Sequence, residues 1–265
     1  MLTLYFRLIG ARIRSQMQYR LSFILDMLSL ALLTWGEFLV TIVLLIRFGS
    51  LGGWNITELA MLYGFSSMAF SLNEMIGRGF DSPFEGLIHT GSFDTLLTRP
   101  LSTFFQVLGS EFQLRRLGRT FQGLAVLPYA FTQLPIHWTA AKVLLVPLTI
   151  LSGTLIFLGL GVIGATICFW TVKTPEIVNV FTSGGYQMSG YPQHIFNRWI
   201  RAVFLFIVPV TFASYPTGLY LLERSDLNGL PAGVAWLAPV VAVLFFSVAY
   251  AFWRVGVSKY TSTGS

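Results

Sequence analysis

Any chemistry in this chain must come from a few polar residues set among long apolar runs. Asp26 and Glu37 lie inside one such run, and Glu74 ends the next. A carboxylate at the centre of a membrane helix costs roughly 2.5–3.5 kcal/mol. It therefore needs a partner, a polar cavity, or a task such as carrying a substrate or a gating motion. Asp26 and Glu74 sit near the ends of their runs, where water, Arg20 or Arg78 can serve them. Glu37 is deeper and has no basic residue four positions away. It is expected to face the bundle interior or a polar cavity, either on a substrate pathway or gate or hydrogen-bonded to a Thr or Tyr of another helix. Other catalytic signals are missing. His89, His137 and His194 are far apart, Cys168 is the single cysteine, and neither HExxH nor GxSxG occurs. The three lysines, Lys142, Lys173 and Lys259, follow Ala141, Val172 and Ser258. Without a Gly-Lys pair there is no Walker phosphate loop. No catalytic residue and no metal site is expected.

The other polar feature is a punctuated stretch, "SPFEGLIHTGSFDTLLTRPLS", at 82–102. Ser82 reads as an N-cap, Pro83 as the first helical position, and Glu85 as the partner that completes a capping box. Phe84, Leu87 and Ile88 share one apolar face, and Gly91 is placed to end that helix. Ser92 is expected to cap a second short turn holding Asp94, Leu96 and Leu97. Pro100 pushes Arg99 out of helical geometry. Ser102 starts a third helix, expected to run through "FFQVLGSEFQLRRLGR" into the next apolar run. Such short helices either rest on a lipid surface or form a docking platform for a cytoplasmic partner.

The elements that carry these residues follow from composition. The chain has 265 residues, 54% hydrophobic and 11% charged, whereas soluble domains carry about 25% charged residues. So few charges cannot cover a globular surface, which places the chain among all-α integral membrane proteins. Six apolar segments are long enough to span: Leu21–Ile46, Ile56–Ile76, Phe121–Ile136, Val143–Trp170, Ala202–Leu222 and Val234–Trp253. The third is short unless it extends back toward Leu117, and the fifth is open to a break at Pro209 and Pro216. With the N-terminus cytoplasmic, Arg47, Lys142 and Arg224 fall outside and the other fourteen of seventeen basic residues inside. Positive charge gathers on the cytoplasmic side, so both termini are expected inside. The same asymmetry explains the net charge of +6 without nucleic acid as a partner. Residues 1–20 place Leu2, Phe6, Ile9, Ile13 and Met17 opposite Arg7 and Arg14. This pattern suits an interfacial helix, the alternative being a basic tail. No cleavable signal peptide is read, so insertion is expected through the first span. Gly161 and Ala165 form a small-xxx-small pair for close helix packing. "TSGGYQMSGYPQ", Thr182–Gln193, reads as a flexible cytoplasmic hinge.

The stretch "GRGFDSPFEGLIHTGSFDTLLTRPLSTFFQVL" resembles a signature of the ABC-2-type permease family. There a Gly-Ser/Asp-x-Asp sequence leads to Leu-Leu-x-Arg-Pro-Leu-Ser between the second and third spans. The matching residues are Gly91, Asp94, Leu96, Leu97, Arg99, Pro100, Leu101 and Ser102, with Ser92 departing from an expected Asp. "VPVTFASYPTGLYL" is similar to the family's Val-Pro-x-x-Phe-x-x-Tyr-Pro element, here Val208, Pro209, Phe212, Tyr215 and Pro216. The charged tail near "WRVGVSKYTSTGS" also fits.

The resemblance implies one ABC-2-type transmembrane domain over 1–265. That domain is a permease half of an exporter in the bacterial cytoplasmic membrane, paired with a second permease, often a different chain. Two copies of a cytoplasmic ATPase would bind ATP and Mg on their own chains. Residues 77–119 would be the coupling region, with Ser82, Pro83, Glu85, Leu87, Asp94, Leu96, Leu97, Arg99 and Pro100 meeting the ATPase. Leu96 and Leu97 would enter a groove, while Asp94 and Arg99 fix orientation. Residues 216–233 would form a re-entrant outer segment, and Glu37, Pro209, Phe212, Tyr215 and Pro216 would serve a pathway or gate. The competing classes are a self-sufficient secondary transporter, against which no internal repeat and one deep carboxylate argue, and a non-transporting membrane anchor.

Overall fold

The computed structural model describes residues 2–171, 176–226 and 229–261. Lys173, the side chains of Leu2, Phe6 and Arg7, and residues 262–265 lie outside the described residues, so the charge and stripe expectations that rest on them have no structural counterpart. Among the described residues the fold is all helical, with a lone backbone bridge between Leu51 and Trp54. The chain runs through α1 (Leu2–Met17), α2 (Arg20–Phe48), α3 (Ile56–Ile76), α4 (Ser82–His89), α5 (Asp94–Leu97) and α6 (Thr103–Ser110). It continues through α7 (Leu117–Gln133), α8 (Ala140–Thr171), α9 (Glu176–Asn179) and α10 (Gly185–Ser189). Then come α11 (Arg198–Ala202), α12 (Tyr215–Leu221) and α13 (Ala238–Lys259). Among the described residues, three stretches are long and apolar enough to cross a membrane: Arg20–Val40, Ala140–Thr171 and Gly233–Lys259.

Helix α3 starts on a reciprocal cap. The Asn55 side chain accepts from the Glu58 amide, and Glu58 accepts from the Asn55 amide, both at 2.9 Å. It then packs between α7 and α8, and α8 packs along α13. Close approach falls at Gly153 and Gly256, not at the expected Gly161–Ala165 pair. A Cβ on Gly153 would sit 2.8 Å from the Cβ atoms of Ala69 and Ala213, and one on Gly256 2.6 Å from the Phe169 ring. At Gly161 the nearest atom is 3.9 Å away. Helix α2 is attached mainly through α7, and its leucines at 21, 25, 28, 32, 33 and 39 are exposed. Helix α7 begins at Leu117, which supplies the length that Phe121–Ile136 lacked.

Contacts give the molecule two ends. At one end lie α4, α5, α6 and the last turns of α8 and α13, joined in one apolar cluster. At the other end Arg224 reaches Glu58 at 2.9 Å and the Gly53 carbonyl at 3.1 Å, and Lys142 reaches Glu223 at 2.6 Å.

The segment Ala202–Leu222 breaks where its prolines allowed, and it does not form one spanning helix. It is α11, a π-helical stretch (Val203–Ile207), a break at Val208–Pro209, a 3-10 turn (Val210–Ala213) and α12. It begins beside His194, whose Nε2 lies 2.7 Å from the Gly52 carbonyl, and ends where Leu221 O accepts from Lys142 at 3.1 Å. Both ends of this hairpin are therefore at the same end of the molecule, and its bend at Ala213 packs against Gly153. The polar Thr182–Gln193 does not stay at one end. Asn179 and Thr182 line a cleft with Arg78 and Asp81 near the first end, while His194 touches Gly52 at the second. Residues 179–194 thus link the two ends, with Tyr186 stacked on Phe70 at 4.6 Å. The third expected helix also breaks. α6 stops at Ser110, and extended residues at Glu111 and Gln113 precede a 3-10 turn at Leu114–Arg116.

Candidate functional site

Helix α4 forms where the sequence predicts, one residue out of register at its cap. Asp81, not Ser82, caps it, accepting from the Ser82 amide at 2.9 Å and pairing with Arg78. Pro83 occupies the first turn and Glu85 supplies its acidic residue, which suits the positive end of the helix dipole. The helix stops at Gly91, whose φ of +68° favours glycine. The Thr90 amide donates to Gly86 O at 3.0 Å and the Phe93 amide to Leu87 O at 3.2 Å. Ser92 does not cap α5. Its hydroxyl meets Thr90 at 2.7 Å, and its carbonyl accepts from the Thr95 hydroxyl.

The apolar face of this region is fully committed. Phe84, Ile88 and Phe93 are at most 1% exposed. They join Phe80, Phe104, Phe169 and Trp253 in an aromatic cluster, with ring centroids 5.0–5.4 Å apart between Phe80 and Phe104, Phe80 and Trp253, Phe84 and Trp253, Phe84 and Phe169, and Phe93 and Phe169. Tyr260 closes over Phe93 at 5.0 Å. Leu87 and Leu96 pack against this cluster, so Leu96 turns inward and Leu97 is the leucine left exposed, at 45%. Thr98, Arg99 and Pro100 are exposed beside it, and Asp94 and Glu85 are half-buried. Buried Gln106 fixes the turn beneath them, donating to Leu96 O at 2.9 Å and Leu101 O at 3.1 Å. The result is a small exposed patch, 97–100, anchored by Gln106 of α6 and flanked by Leu96, which packs on the cluster shared by α8 and α13. Trp253 and Gln106 were missed in the sequence; an aromatic at the end of the last apolar run was the available signal.

A second site lies where the last turn of α3 meets the start of α7. Glu74 of α3 meets Arg116 at 3.0 Å and Arg119 at 3.2 Å, not Arg78, which is turned to Asp81. Arg119 also lies 3.7 Å from Glu37 of α2. Its guanidinium sits over the rings of Phe70 and Tyr186, 5.6 and 5.3 Å from their centroids, within cation–π range. These residues, with Tyr63, Gln187 and Tyr191, line a cavity of about 530 Å³ between α2 and the 183–191 stretch. Glu37 thus faces a polar cavity, as its position predicts, and its cationic neighbour comes from another helix. The 208–216 element stands elsewhere. Pro209, Phe212, Tyr215 and Pro216 are buried inside the hairpin and none lines the cavity that holds Glu37. Asp26 is exposed, in a cleft with Arg12 and Arg115. Among the described residues no group of His, Cys, Asp and Glu is placed to hold a metal.

A protein-family model described as ABC-2 family transporter protein matches residues 31–264. The chain belongs to that family. It is therefore a transporter-family membrane protein with a permease role, and ABC-2 permeases generally work with an ATPase subunit. Neither a curated protein nor a solved structure matches the chain.

Proposed function

We propose that this ABC-2 chain is the permease half of an ATP-driven exporter that docks its ATPase through the exposed patch at Leu97–Pro100. The observation that carries this reading is the contrast within one short segment. Phe84, Ile88 and Phe93 are sunk into an aromatic cluster on α8 and α13, while Leu97, Thr98, Arg99 and Pro100 stay exposed. A partner that pushes on this patch moves two long helices with it, because close-packed cores transmit strain. Glu85 and Asp94 lie at the margin of the contact, and Ser82, Pro83, Leu87 and Leu96 shape it from behind.

In this reading α2, α3, α7, α8, the 176–195 stretch and α13 are the six crossings, and the end carrying α4–α6 is cytoplasmic. The hairpin from Arg198 to Leu221 dips into the membrane from outside and returns, so the re-entrant segment lies mostly before the expected 216–233 and overlaps it only at 216–221. Arg198 and Arg201 then lie outside, and twelve of seventeen basic residues remain inside, which keeps the positive-inside bias. Helix α1, tied to the coupling region through Gln16 to the Leu114 amide at 3.1 Å, lies along the cytoplasmic interface. The Glu37–Arg119–Glu74 cavity is the polar part of the pathway, completed by a second permease. Two ATPase copies hold the nucleotide, and the bacterial cytoplasmic membrane is the expected location. The decisive experiment isolates the native complex from membranes with wild-type chain and with Leu97→Ala/Arg99→Ala. An ABC ATPase recovered with the wild type and lost with the variant, at unchanged permease folding, supports the reading. Equal recovery with both would remove the patch from docking.

A further inference from the structure

A proton count at the outer end of the molecule leads beyond transport itself. Three contacts there form a chain. His194 Nε2 lies 2.7 Å from the Gly52 carbonyl, His194 Nδ1 lies 3.3 Å from the Tyr215 hydroxyl, and that hydroxyl donates to Asp226 Oδ1 at 2.6 Å. Asp226 Oδ2 in turn accepts from the Leu230 amide at 3.2 Å. The chain joins the α2–α3 connection, the residues before α11, the first residue of α12 and the loop after it. Gly52 is suited to this contact by its φ of +58° and because a Cβ there would sit 2.4 Å from His194 Nε2.

Each of the three contacts needs one proton. The Gly52 carbonyl is an acceptor only, so Nε2 must carry a hydrogen. The phenol, with a reference pKa near 10 against about 4 for a carboxylate, keeps its own proton and gives it to Asp226. With a neutral imidazole and an ionised Asp226 the chain then holds two protons for three contacts, and Nδ1 faces the phenol oxygen lone pair to lone pair. A third proton completes the set, and histidine is the more basic place for it. The charged groups around the chain are Arg201 of α11, whose field reaches Tyr215, and Arg224, which is held by Glu58. Lys142 and Glu223 pair with each other further along the same end.

We propose that His194, Tyr215 and Asp226 form a proton-operated clasp. With both ring protons, His194 holds Gly52 through Nε2 and Tyr215 through Nδ1, which locks the two arms of the hairpin to each other; a neutral His194 keeps Gly52 and gives up Tyr215. The clasp does not depend on which cargo or ATPase the chain serves. Acidification outside would lock the two arms of the hairpin together, and alkalinisation would free one from the other.

The test is hydrogen–deuterium exchange on the full-length chain in nanodiscs at pH 5.5 and 8.0, corrected for intrinsic exchange. Amides of 194–196 and 215–218 should exchange about tenfold more slowly at pH 5.5, the size of one hydrogen bond, while amides of 84–97 should not change. Asp226→Asn is the discriminating variant. An amide accepts from Leu230 through its oxygen and donates to the phenol oxygen through its nitrogen, so the phenol can give its proton to Nδ1 and a neutral His194 completes the chain. It should be protected at both pH values. Tyr215→Phe removes the oxygen and should be pH-independent and unprotected. Wild-type exchange that is the same at both pH values, or pH dependence that survives in Asp226→Asn or Tyr215→Phe, would overturn the clasp. The wild-type comparison stands even if a variant fails to fold.

Discussion

Replacing Glu74 by Gln tests the charge cluster around it. The Glu74 side chain is 12% exposed, and its partners Arg116 and Arg119 are 13% and 10% exposed. All three charges are thus withdrawn from solvent together, and Glu74 is the anion both guanidiniums reach at 3.0 and 3.2 Å. Breaking a buried ion pair on one side costs about 3–5 kcal/mol, because the remaining charge is left uncompensated. Glutamine keeps the shape and one acceptor oxygen, which places the expected cost near 3 kcal/mol on that scale. For a chain of this size each kcal/mol moves the melting temperature by about 2–4 °C, so a fall of roughly 6–12 °C is expected at a fixed scan rate in detergent. Glu37→Gln supplies the internal comparison. Its side chain is 56% exposed and 3.7 Å from Arg119, a geometry worth at most about 1 kcal/mol. That variant should melt within roughly 4 °C of wild type. Equal shifts for the two variants, or a smaller shift for Glu74→Gln, would refute the view that Glu74 neutralises the buried guanidiniums.

Two other outcomes follow from the same geometry. The Lys142 ammonium, 2.6 Å from Glu223, holds that carboxylate below its ordinary range. A depressed folded pKa contributes stability that is present above the unfolded value, near 4.5, and is lost as pH falls through the folded one. The melting temperatures of wild type and Glu223→Gln should therefore differ at pH 6 and converge as the pH is lowered below about 4. Trp253→Ala empties the centre of the aromatic cluster, where Trp253 is 2% exposed, at a cost of about 3–5 kcal/mol. Deuterium exchange should quicken through 84–108 while α3 amides near Asn55 stay protected; uniform loosening would mean that the cluster does not specifically hold the patch.

The stretch at 82–102 was the most legible part of this chain because its signals are local. Pro83, Gly91 and Pro100 constrain their own backbone, so α4 and its stop at Gly91 formed as expected. The N-cap moved from Ser82 to Asp81 because adjacent short polar side chains compete for the same amides. Leu96 and Leu97 could not be separated in sequence, since which neighbour turns inward depends on where Phe169 and Trp253 stand. The 202–222 run departs from a single helix for a different reason. Hydropathy selects the apolar 202–222 run, yet Phe206 and Ile207 are largely exposed and the run turns back on itself. The stretch that does run between the two ends is rich in Gly, Ser, Thr and Gln, because it faces a cavity and other helices.

The sequence alone determined the all-α membrane class and the family. Each is a property of composition or of residues close together in the chain. Only the tertiary structure decided that Arg119 serves both Glu74 and Glu37, that Trp253 holds α4 and that His194 meets Gly52 and Tyr215. Those partners are 45, 82, 169 (Trp253 to Phe84), 142 and 21 residues apart in the chain, and no local preference encodes such meetings. They arise where buried charges and rings must find partners once the helices have packed.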